Sequence, residues 1–345
     1  MLREALARAL LAIGAVASTL ALAELAARLV APGWHPASLA AFWRYDPTLG
    51  WAHRAGAADR FRSRYWDVAV SINAEGLRDV EHAYAKSPGT RRLLLLGDSF
   101  GWAAGVEQDR GVAAVLGALC PGLEVINASV SGYSTDQEYL YWREEGHRYE
   151  PDLVLVLFHE NDILGDSLHR MYGYEKPQFV IEGGELALRN VPVPERRRWE
   201  RVSSWLLARS WLANGILKRP GIGLAFMFGL PPGMKEPPSD FDVTSRLLEQ
   251  LAREVRKAGA EPLLAAVPMA KAPRSWLREA TREASIRLVD LDAPLAAAVA
   301  RGVAILLPQD IHWNAEGHRI AGEAIARELG CASGSGASAA SKPLP

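Results

Sequence analysis

Short apolar runs alternate with longer amphipathic stretches between residues 91 and 330 of this 345-residue chain. A short apolar run bounded by charged or turn residues predicts a buried strand, whereas apolar residues at every third or fourth position predict a helix. Because helices separate the strands, the right-handed crossover rule places helices on both faces of one sheet. The predicted fold class is α/β, a three-layer α/β/α sandwich around a flavodoxin-like, five-stranded parallel sheet with strands at 93–96, 123–127, 153–158, 262–267 and 286–291.

Two of the predicted helices have recognisable ends, and a third closes the domain. Thr135 and Glu138 have the spacing of a capping box, which predicts the start of a helix over 135–148. Another helix, 243–258, places its leucines on one side and stops at Gly259, a residue that readily takes the left-handed angles of a helix end. The last helix is predicted from about residue 315 to residue 329.

The pattern divides the chain into four regions. Residues 1–31 form an apolar amino-terminal segment, and residues 32–90 are predicted to form an irregular strap that packs on the main domain. The main domain, 91–330, contains an insertion at 163–240, with a predicted hairpin whose strands 178–181 and 185–188 are joined through two glycines. The Ser-, Gly- and Ala-rich tail, 331–345, is predicted to be disordered.

The amino-terminal segment carries Arg3 and Arg8 and then no charge until Glu24. A helix over 9–30 would be roughly 33 Å long at 1.5 Å per residue, long enough to span a bilayer. The segment predicts an uncleaved membrane anchor, with a cleaved secretory signal and a soluble surface helix as alternatives. Because the arginines favour a cytoplasmic start, residues beyond about 35 are expected in the periplasm or outside the cell.

Composition narrows the classes of partner. The formal net charge is -1 and the isoelectric point is about 6.7, which argues against nucleic acid because a phosphate-binding surface needs a basic excess. With 49% hydrophobic and 23% charged residues, most of the chain is expected to be globular. Whether the two cysteines, Cys120 and Cys331, form a disulfide is left open by the sequence.

Candidate chemistry begins at Gly97-Asp98-Ser99-Phe100, directly after the first strand of the sheet. A glycine turn into a helix that begins near Ser99 would expose this serine at the carboxyl edge of the sheet. Near the other end of the chain, Asp310 and His312 are two residues apart, so both side chains face the same way in an extended segment. Asp310 could then orient His312, which would take the proton from a Ser99 nucleophile. Helix capping is the structural alternative for the serine.

Two further strand ends supply polar groups to the same edge. Asn161 and Asp162 follow strand 153–158, and Gly132 lies in the loop after strand 123–127. Ligands bind at the carboxyl edge of open parallel sheets. The side-chain amide of Asn161 and the backbone N–H groups of Gly132 and Ser99 are therefore candidates for an oxyanion hole.

These residues resemble the SGNH (GDSL-type) hydrolase family over about residues 91–330. The resemblance implies Ser99 as nucleophile, His312 as base, Asp310 as its orienting acid, and Gly132 and Asn161 as oxyanion donors. The chain departs from the family pattern at His159, where glycine is usual, and at Gln309, where the acid is usual. The Asp-x-His-Trp spacing resembles the membrane-anchored branch that adds acetyl groups to bacterial polysaccharides or removes them.

Other chemistries fit the spacing less well. Gly97 to Gly101 also reads as the nucleophile elbow of an α/β-hydrolase, but there the elbow follows several strands and the acid lies far from the histidine. A metal site formed by Asp98, Asp162, Asp310 and His312 lacks the usual ligand spacing. Glycines four apart do not make a dinucleotide fingerprint, and serine-hydrolase chemistry requires no cofactor.

Four other residues are candidates for substrate contact. Trp102 and Trp313 are close in sequence to the nucleophile and the base, where they could stack on sugars or simply pack in the core. Asn73 and Arg78 belong to the strap and either reach the cleft or support it. The sequence as a whole predicts an exported, membrane-tethered serine esterase or O-acyltransferase for ester-bearing carbohydrate. The alternatives are an esterase for lipids or lysophospholipids and a catalytically silent polysaccharide-binding or assembly protein.

Overall fold

The computed structural model describes residues 2–31, 39–63, 65–196, 209–217 and 240–331. The helices are α1 (Leu2–Val30), α2 (Val112–Leu119), α3 (Thr135–Glu144), α4 (Glu160–Asp166), α5 (Trp211–Leu217), α6 (Phe241–Lys257), α7 (Lys271–Glu283), α8 (Asp292–Ala300) and α9 (Ala315–Glu328). The strands are β1 (Trp43–Asp46), β2 (Gly50–His53), β3 (Ala58–Arg62), β4 (Asp67–Ser71), β5 (Arg91–Gly97), β6 (Leu123–Asn127), β7 (Leu153–Phe158), β8 (Arg170–Met171), β9 (Tyr174–Glu175), β10 (Gln178–Glu182), β11 (Glu185–Arg189), β12 (Glu261–Ala266) and β13 (Arg287–Asp290).

A five-stranded parallel sheet forms the centre of the molecule, as the sequence predicts. The strand order is β13-β12-β7-β5-β6, and every neighbouring pair is parallel. Leu93 of β5 lies opposite Leu153 on one side and Val125 on the other. The chain leaves β5 first toward β6 and later returns to β7 on the other side, so the crevice between these strands opens at their carboxyl ends.

The side chains of β5 alternate between two apolar layers. Leu93 and Leu95 pack on the face covered by α2, α8 and α9, whereas Leu94 and Leu96 pack on the face covered by α3, α6 and α7. All four leucines are buried, as expected for a strand covered on both faces. The predicted three-layer sandwich is therefore the observed architecture.

The strap is more regular than the sequence indicates. Strands β1 and β2 form one antiparallel hairpin, and β3 and β4 form a second. In β4, Val68 and Val70 are buried while Ala69 between them is exposed, an alternation that the surrounding aromatic and charged residues obscure in the sequence. The buried side chains of these hairpins join the apolar layer on the α3 face of the sheet. The strap thus extends the core of the main domain.

Two other local predictions have different outcomes. The insertion hairpin is present, with β10 and β11 antiparallel around Gly183 and Gly184. The capping box at α3 is wrong, because the helix begins after Ser134 without a side-chain cap and Glu138 is buried inside the protein. The apolar stretch 222–230 of the insertion and nearly all of the tail, 332–345, lie outside the described residues.

Helix α1 is long and apolar enough, by length and composition, to cross a membrane over Arg3–Val30, and its apolar window is not buried in the protein. Near its end, the Glu24 carboxylate accepts hydrogen bonds from the backbone N–H groups of Trp211 and Leu212 at the start of α5. The Arg28 side chain donates to Glu24 and to the carbonyl oxygen of Arg209. The last turns of α1 are therefore attached to the insertion.

A disulfide joins Cys120, at the end of α2, to Cys331, just after α9. The two residues are 211 positions apart in sequence, and their Cα atoms are 5.0 Å apart. Helices α2 and α9 already pack together on one face of the sheet. The bond closes a loop that includes nearly the whole main domain.

Replacing both cysteines by alanine should lower the free energy of unfolding. A cross-link that closes a long loop restricts the unfolded chain, and its removal typically costs about 2–5 kcal/mol. The measurement is equilibrium urea unfolding of the double variant Cys120→Ala/Cys331→Ala beside the wild type. Equal transition midpoints, with the wild-type disulfide verified by mass spectrometry, would contradict this expectation.

Candidate active site

Ser99 lies in a tight turn directly after β5. The sequence predicts that a helix begins near this serine, and that prediction is wrong. The N–H of Trp102 donates to the carbonyl oxygen of Asp98 at 2.9 Å, but Ala103 and Gly105 take left-handed angles with φ of 61° and 76°, which stop the helix after one turn. The next α-helix begins only at Val112. Ser99 nevertheless lies at the carboxyl edge of the sheet, as expected, although it is half-buried rather than exposed.

Ser99, His312 and Asp310 form a continuous hydrogen-bonded chain. The Ser99 hydroxyl lies 2.8 Å from His312 Nε2, and His312 Nδ1 lies 2.5 Å from Asp310 Oδ1. Because a carboxylate only accepts, His312 Nδ1 carries the proton and its Nε2 accepts from the serine. Asp310 therefore holds the imidazole in the tautomer that a general base requires.

The loop that carries His312 has a fixed shape. The N–H of Leu307 donates to the carbonyl oxygen of His312 at 2.9 Å, and Gln309 adopts a left-handed φ of 54°. This turn points Asp310 at His312, and the Asp310 carboxylate also accepts from the His312 backbone N–H. Partial burial raises the pKa of Asp310, but the hydrogen bonds from His312 outweigh this effect and hold the pKa below its usual value. The carboxyl is thus ionised at neutral pH.

The Asn161 side chain is oriented from both ends. Its Oδ1 lies 2.5 Å from His159 Nδ1, and its Nδ2 donates to Asp98 Oδ2 at 2.9 Å. Asp98 in turn accepts from the N–H of Phe100 at 2.8 Å, which ties the amide to the serine turn. Because an amide oxygen can only accept, His159 donates to it and prevents the amide from turning over. The histidine that replaces the usual family glycine thus contacts a candidate site residue.

Gly132 lies in the loop after β6 with a left-handed φ of 85°. Among the described residues, no protein oxygen accepts a hydrogen bond from the backbone N–H of Gly132 or Ser99. A Cβ atom at Gly132 would lie 2.8 Å from Cε2 of Tyr172 and 3.5 Å from Cζ2 of Trp51, closer to the tyrosine than any real Cβ is found. Both the backbone angle and the available space therefore require glycine here.

A group of buried carboxylates lies behind these residues. Asp98, Glu138 and Asp162 are each at most 1% exposed. Asp162 accepts from the backbone N–H of His159, whereas neither carboxylate oxygen of Glu138 has a hydrogen-bond partner among the described residues. Burial raises the pKa of Glu138 well above its usual value, and the charges of Asp98, Asp166 and Asp136 raise it further. Glu138 is therefore expected to hold a proton at neutral pH.

The remaining candidates lie beside the site but do not line it. Trp102 and Trp313 are at most 2% exposed, and Trp313 packs edge-on against Phe100, so neither offers a face to a sugar. The guanidinium of Arg78 is buried and donates to the carbonyl oxygens of Trp102, Ala103 and Val106, which holds the chain after the serine turn. The Asn73 side chain closes its own turn through Glu75, Leu77 and Val80. All four side chains are buried in the protein.

Sequence reasoning overlooked Glu138 and Tyr172. Glu138 matches a capping pattern, which concealed its burial, and Tyr172 lies in the insertion, whose path the sheet pattern does not predict. A left-handed φ of 53° at Tyr172 is unusual for an aromatic residue. The neighbouring Gly173, which marks a turn, is the only local signal in the sequence. In the described part of the chain, no group of three or more His, Cys, Asp or Glu side chains has an arrangement that could hold a metal ion.

The Glu138→Gln variant should gain stability relative to the wild type as pH rises from 5 to 9. With its raised folded pKa, Glu138 keeps its proton in the folded state at pH values where the unfolded chain has lost it, so this group makes the wild type less stable as pH increases. Glutamine removes that dependence. The measurement is the difference in melting temperature across the pH range.

The matched control is Glu328→Gln, because Glu328 is exposed at the end of α9. Its difference from the wild type should stay constant with pH. A constant difference for Glu138→Gln as well would show that Glu138 is ionised in the folded protein.

Solved structures with similar folds are distant in sequence. An acetylxylan esterase from Geobacillus stearothermophilus is 18% identical with a TM-score of 0.41, over 71% of this chain and 97% of that one. The enzyme LAE5 from the metagenome of Lake Arreo is 16% identical with a TM-score of 0.44, over 72% of this chain and 99% of that one. No curated protein sequence matches the chain significantly.

A family model built from sequences identifies the family of this chain more directly than the solved structures do. The model of the GDSL-like lipase/acylhydrolase family matches residues 95–320, about two-thirds of the chain. The match runs from β5 through Ser99, Gly132, Asn161 and His312 and into α9. The chain belongs to the GDSL-like lipase/acylhydrolase family, and it is an ester-hydrolysing serine hydrolase.

Proposed function

We propose that this protein is an exported, membrane-tethered serine esterase that forms an acyl-enzyme on Ser99. The observation that carries the proposal is the chain from the Ser99 hydroxyl through His312 to Asp310, with distances of 2.8 Å and 2.5 Å. A serine hydroxyl is a weak nucleophile until a positioned base removes its proton. The three side chains supply the nucleophile, the base and the group that orients the base.

The first half-reaction follows from this geometry. Ser99 Oγ attacks the ester carbonyl carbon while its proton passes to His312 Nε2, and the ionised Asp310 stabilises the imidazolium. The tetrahedral intermediate collapses when the bond to the alcohol oxygen breaks, and His312 returns the proton to that oxygen. The alcohol leaves, and the acyl group remains on Ser99. Water then attacks the acyl-enzyme with His312 again as base, which releases the acid and restores the serine.

Negative charge on the carbonyl oxygen requires donors already in place. In the proposed oxyanion hole these are the backbone N–H groups of Ser99 and Gly132 and the side-chain amide of Asn161. Donors that are fixed before the reaction stabilise the transition state without reorganising, and loss of one such donor typically lowers turnover about 10²- to 10³-fold. The hydrogen bonds of Asn161 to His159 and Asp98 support this role because they fix the direction of the amide.

The substrate proposed is an ester-bearing carbohydrate. This part rests on the Asp-x-His-Trp motif at residues 310–313, which resembles the motif of enzymes that act on polysaccharide acetyl groups. Attack on the acyl-enzyme by a sugar hydroxyl instead of water would make the same site an O-acyltransferase, since both reactions share the acylation step. Asp310 of this motif, rather than Gln309, contacts His312.

Two observations support an exported, membrane-bound protein. Helix α1 has the length and composition of a membrane span, and its end is attached to the insertion through Glu24 and Arg28. The Cys120–Cys331 disulfide is typical of proteins outside the reducing cytosol. We propose that α1 is retained as an anchor and that the main domain is in the periplasm or outside the cell.

Ser99→Ala should abolish hydrolysis of 4-nitrophenyl acetate, with a fall in kcat of at least about 10⁴-fold, because the acyl-enzyme can no longer form. The measurement is nitrophenol release by purified full-length protein in detergent. Ser275→Ala is the matched control, since Ser275 is an exposed residue of α7. Equal rates for Ser99→Ala and wild type would leave only a binding role for the protein.

Export predicts the redox state of the cysteines in cells. In a bacterial host, cysteines of the full-length protein should resist alkylation until a reductant is added, whereas a version without residues 2–31 should react at once because it stays in the reducing cytosol. The measurement is mass spectrometry of peptides that contain Cys120 after the cells are lysed directly into denaturant with the alkylating reagent, since Cys120 is only 2% exposed in the folded protein. Immediate alkylation of the full-length protein would contradict an extracytoplasmic main domain.

A further inference from the structure

Tyr172 of the insertion lies at the turn between β8 and β9 and is placed against the site. Its φ of 53° is left-handed, an angle that glycine adopts freely and an aromatic residue rarely does. Strained backbone of this kind persists only where surrounding contacts enforce it. The position of this one side chain is therefore fixed by the fold around it.

The short hairpin that carries Tyr172 is attached firmly to the main domain. After β9, the buried ammonium group of Lys176 pairs with the Asp136 carboxylate of α3 and donates to the carbonyl oxygen of Gly165 at 2.9 Å. Tyr174 packs against the rings of Trp43 and Trp51 from the strap, with centroids 5.1 Å and 5.8 Å away. An ion pair on one side and an aromatic cluster on the other thus hold the Tyr172 turn.

Tyr172 contacts two of the three proposed oxyanion donors. The edge of its ring covers Gly132, because a Cβ atom there would lie 2.8 Å from Cε2 and 3.0 Å from Cδ2. Burial raises the pKa of the Tyr172 hydroxyl, and the charge of Asp98 raises it further. A hydrogen bond with the Asn161 side chain lowers this pKa and so shows the second contact. A carbonyl oxygen bound between Gly132 and Asn161 would therefore lie next to the tyrosine.

The direction of the two ester substituents follows from the proton transfer. The alcohol oxygen has to face His312, which protonates it as it leaves. The acyl substituent shares its carbon with the oxygen that Gly132 and Asn161 would bind, so its first atoms come within reach of Tyr172, which is half-buried and contacts both donors.

We propose that Tyr172 is the specificity-determining residue of the acyl site and restricts the enzyme to short acyl groups such as acetyl. This inference rests on the proposed function, because it takes Ser99 as the nucleophile and Gly132 and Asn161 as the oxyanion donors. Selection by acyl length is a property that the strand ends and the nucleophile turn do not provide. The residue that sets this choice comes from the insertion.

The test compares kcat/KM for 4-nitrophenyl acetate, butanoate and hexanoate with the full-length protein in detergent. In the wild type, kcat/KM should fall as the acyl chain lengthens. Tyr172→Gly removes the ring and suits the left-handed backbone, so the hexanoate-to-acetate ratio should rise about tenfold or more. Tyr172→Phe is the matched control, because it keeps the ring and should keep the wild-type ratio.

A second series holds the acyl group constant. Tyr172→Gly should not change the ratio between the acetates of 4-nitrophenol and 4-methylumbelliferone, since the alcohol lies on the other side of the reacting carbon. An unchanged hexanoate-to-acetate ratio, or a change only in the alcohol series, would overturn the inference. If Tyr172→Gly does not fold by circular dichroism, Tyr172→Leu decides in the same way, because leucine is shorter but still apolar.

Failure of this inference can be told apart from failure of the proposed function. Activity that disappears in Ser99→Ala, combined with a ratio that Tyr172→Gly does not move, contradicts only the role of Tyr172. Activity that persists in Ser99→Ala contradicts the proposed mechanism itself, and with it the inference.

Discussion

The hydrogen bond between the Ser99 hydroxyl and His312 Nε2 is the contact on which the proposed chemistry depends. It joins residues 213 positions apart, so no local propensity can form it. The parallel sheet places the serine turn at its carboxyl edge, and α9 packs against α2 on one face and fixes the end of the histidine loop. The disulfide between the ends of these two helices reinforces the same pairing. Much of the fold thus contributes to one distance of 2.8 Å.

Burial of charge is the second constraint at the site. Asp98 and Asp162 are fully buried, and each accepts backbone or amide hydrogen bonds that fix the serine turn and the start of α4. Isolated carboxylates in such surroundings would be strongly destabilising, so each needs a donor or a proton. Glu138 has no donor among the described residues and is expected to keep its proton. Burial and the charges of Glu138 and Asp98 also raise the pKa of Asp162, so the polar layer behind the proposed oxyanion donors responds to pH through both carboxyl groups.

Sequence patterns predicted the sheet well because its central strands β5, β7 and β12 are apolar on both faces. The observed bounds of β6 and β7 equal the predicted ones, and Ser99, His312 and Asp310 lie together as their strand ends and spacing require. The patterns failed where tertiary contacts override local preference. Left-handed angles at Ala103 and Gly105 end the helical turn after Ser99. The Glu138 side chain is buried inside the protein and does not cap the helix. Tyr172 could not be predicted, because its place depends on how the insertion folds back onto the sheet.

Covalent labelling tests the central claim most directly. A fluorophosphonate reacts preferentially with a serine whose proton a neighbouring base removes, so the reagent reports the activated hydroxyl. Tandem mass spectrometry of the labelled full-length protein should find one adduct, on Ser99, and the adduct should be lost in His312→Ala, whose serine has no base. A label on another residue, or a Ser99 that reacts equally without His312, would contradict the account.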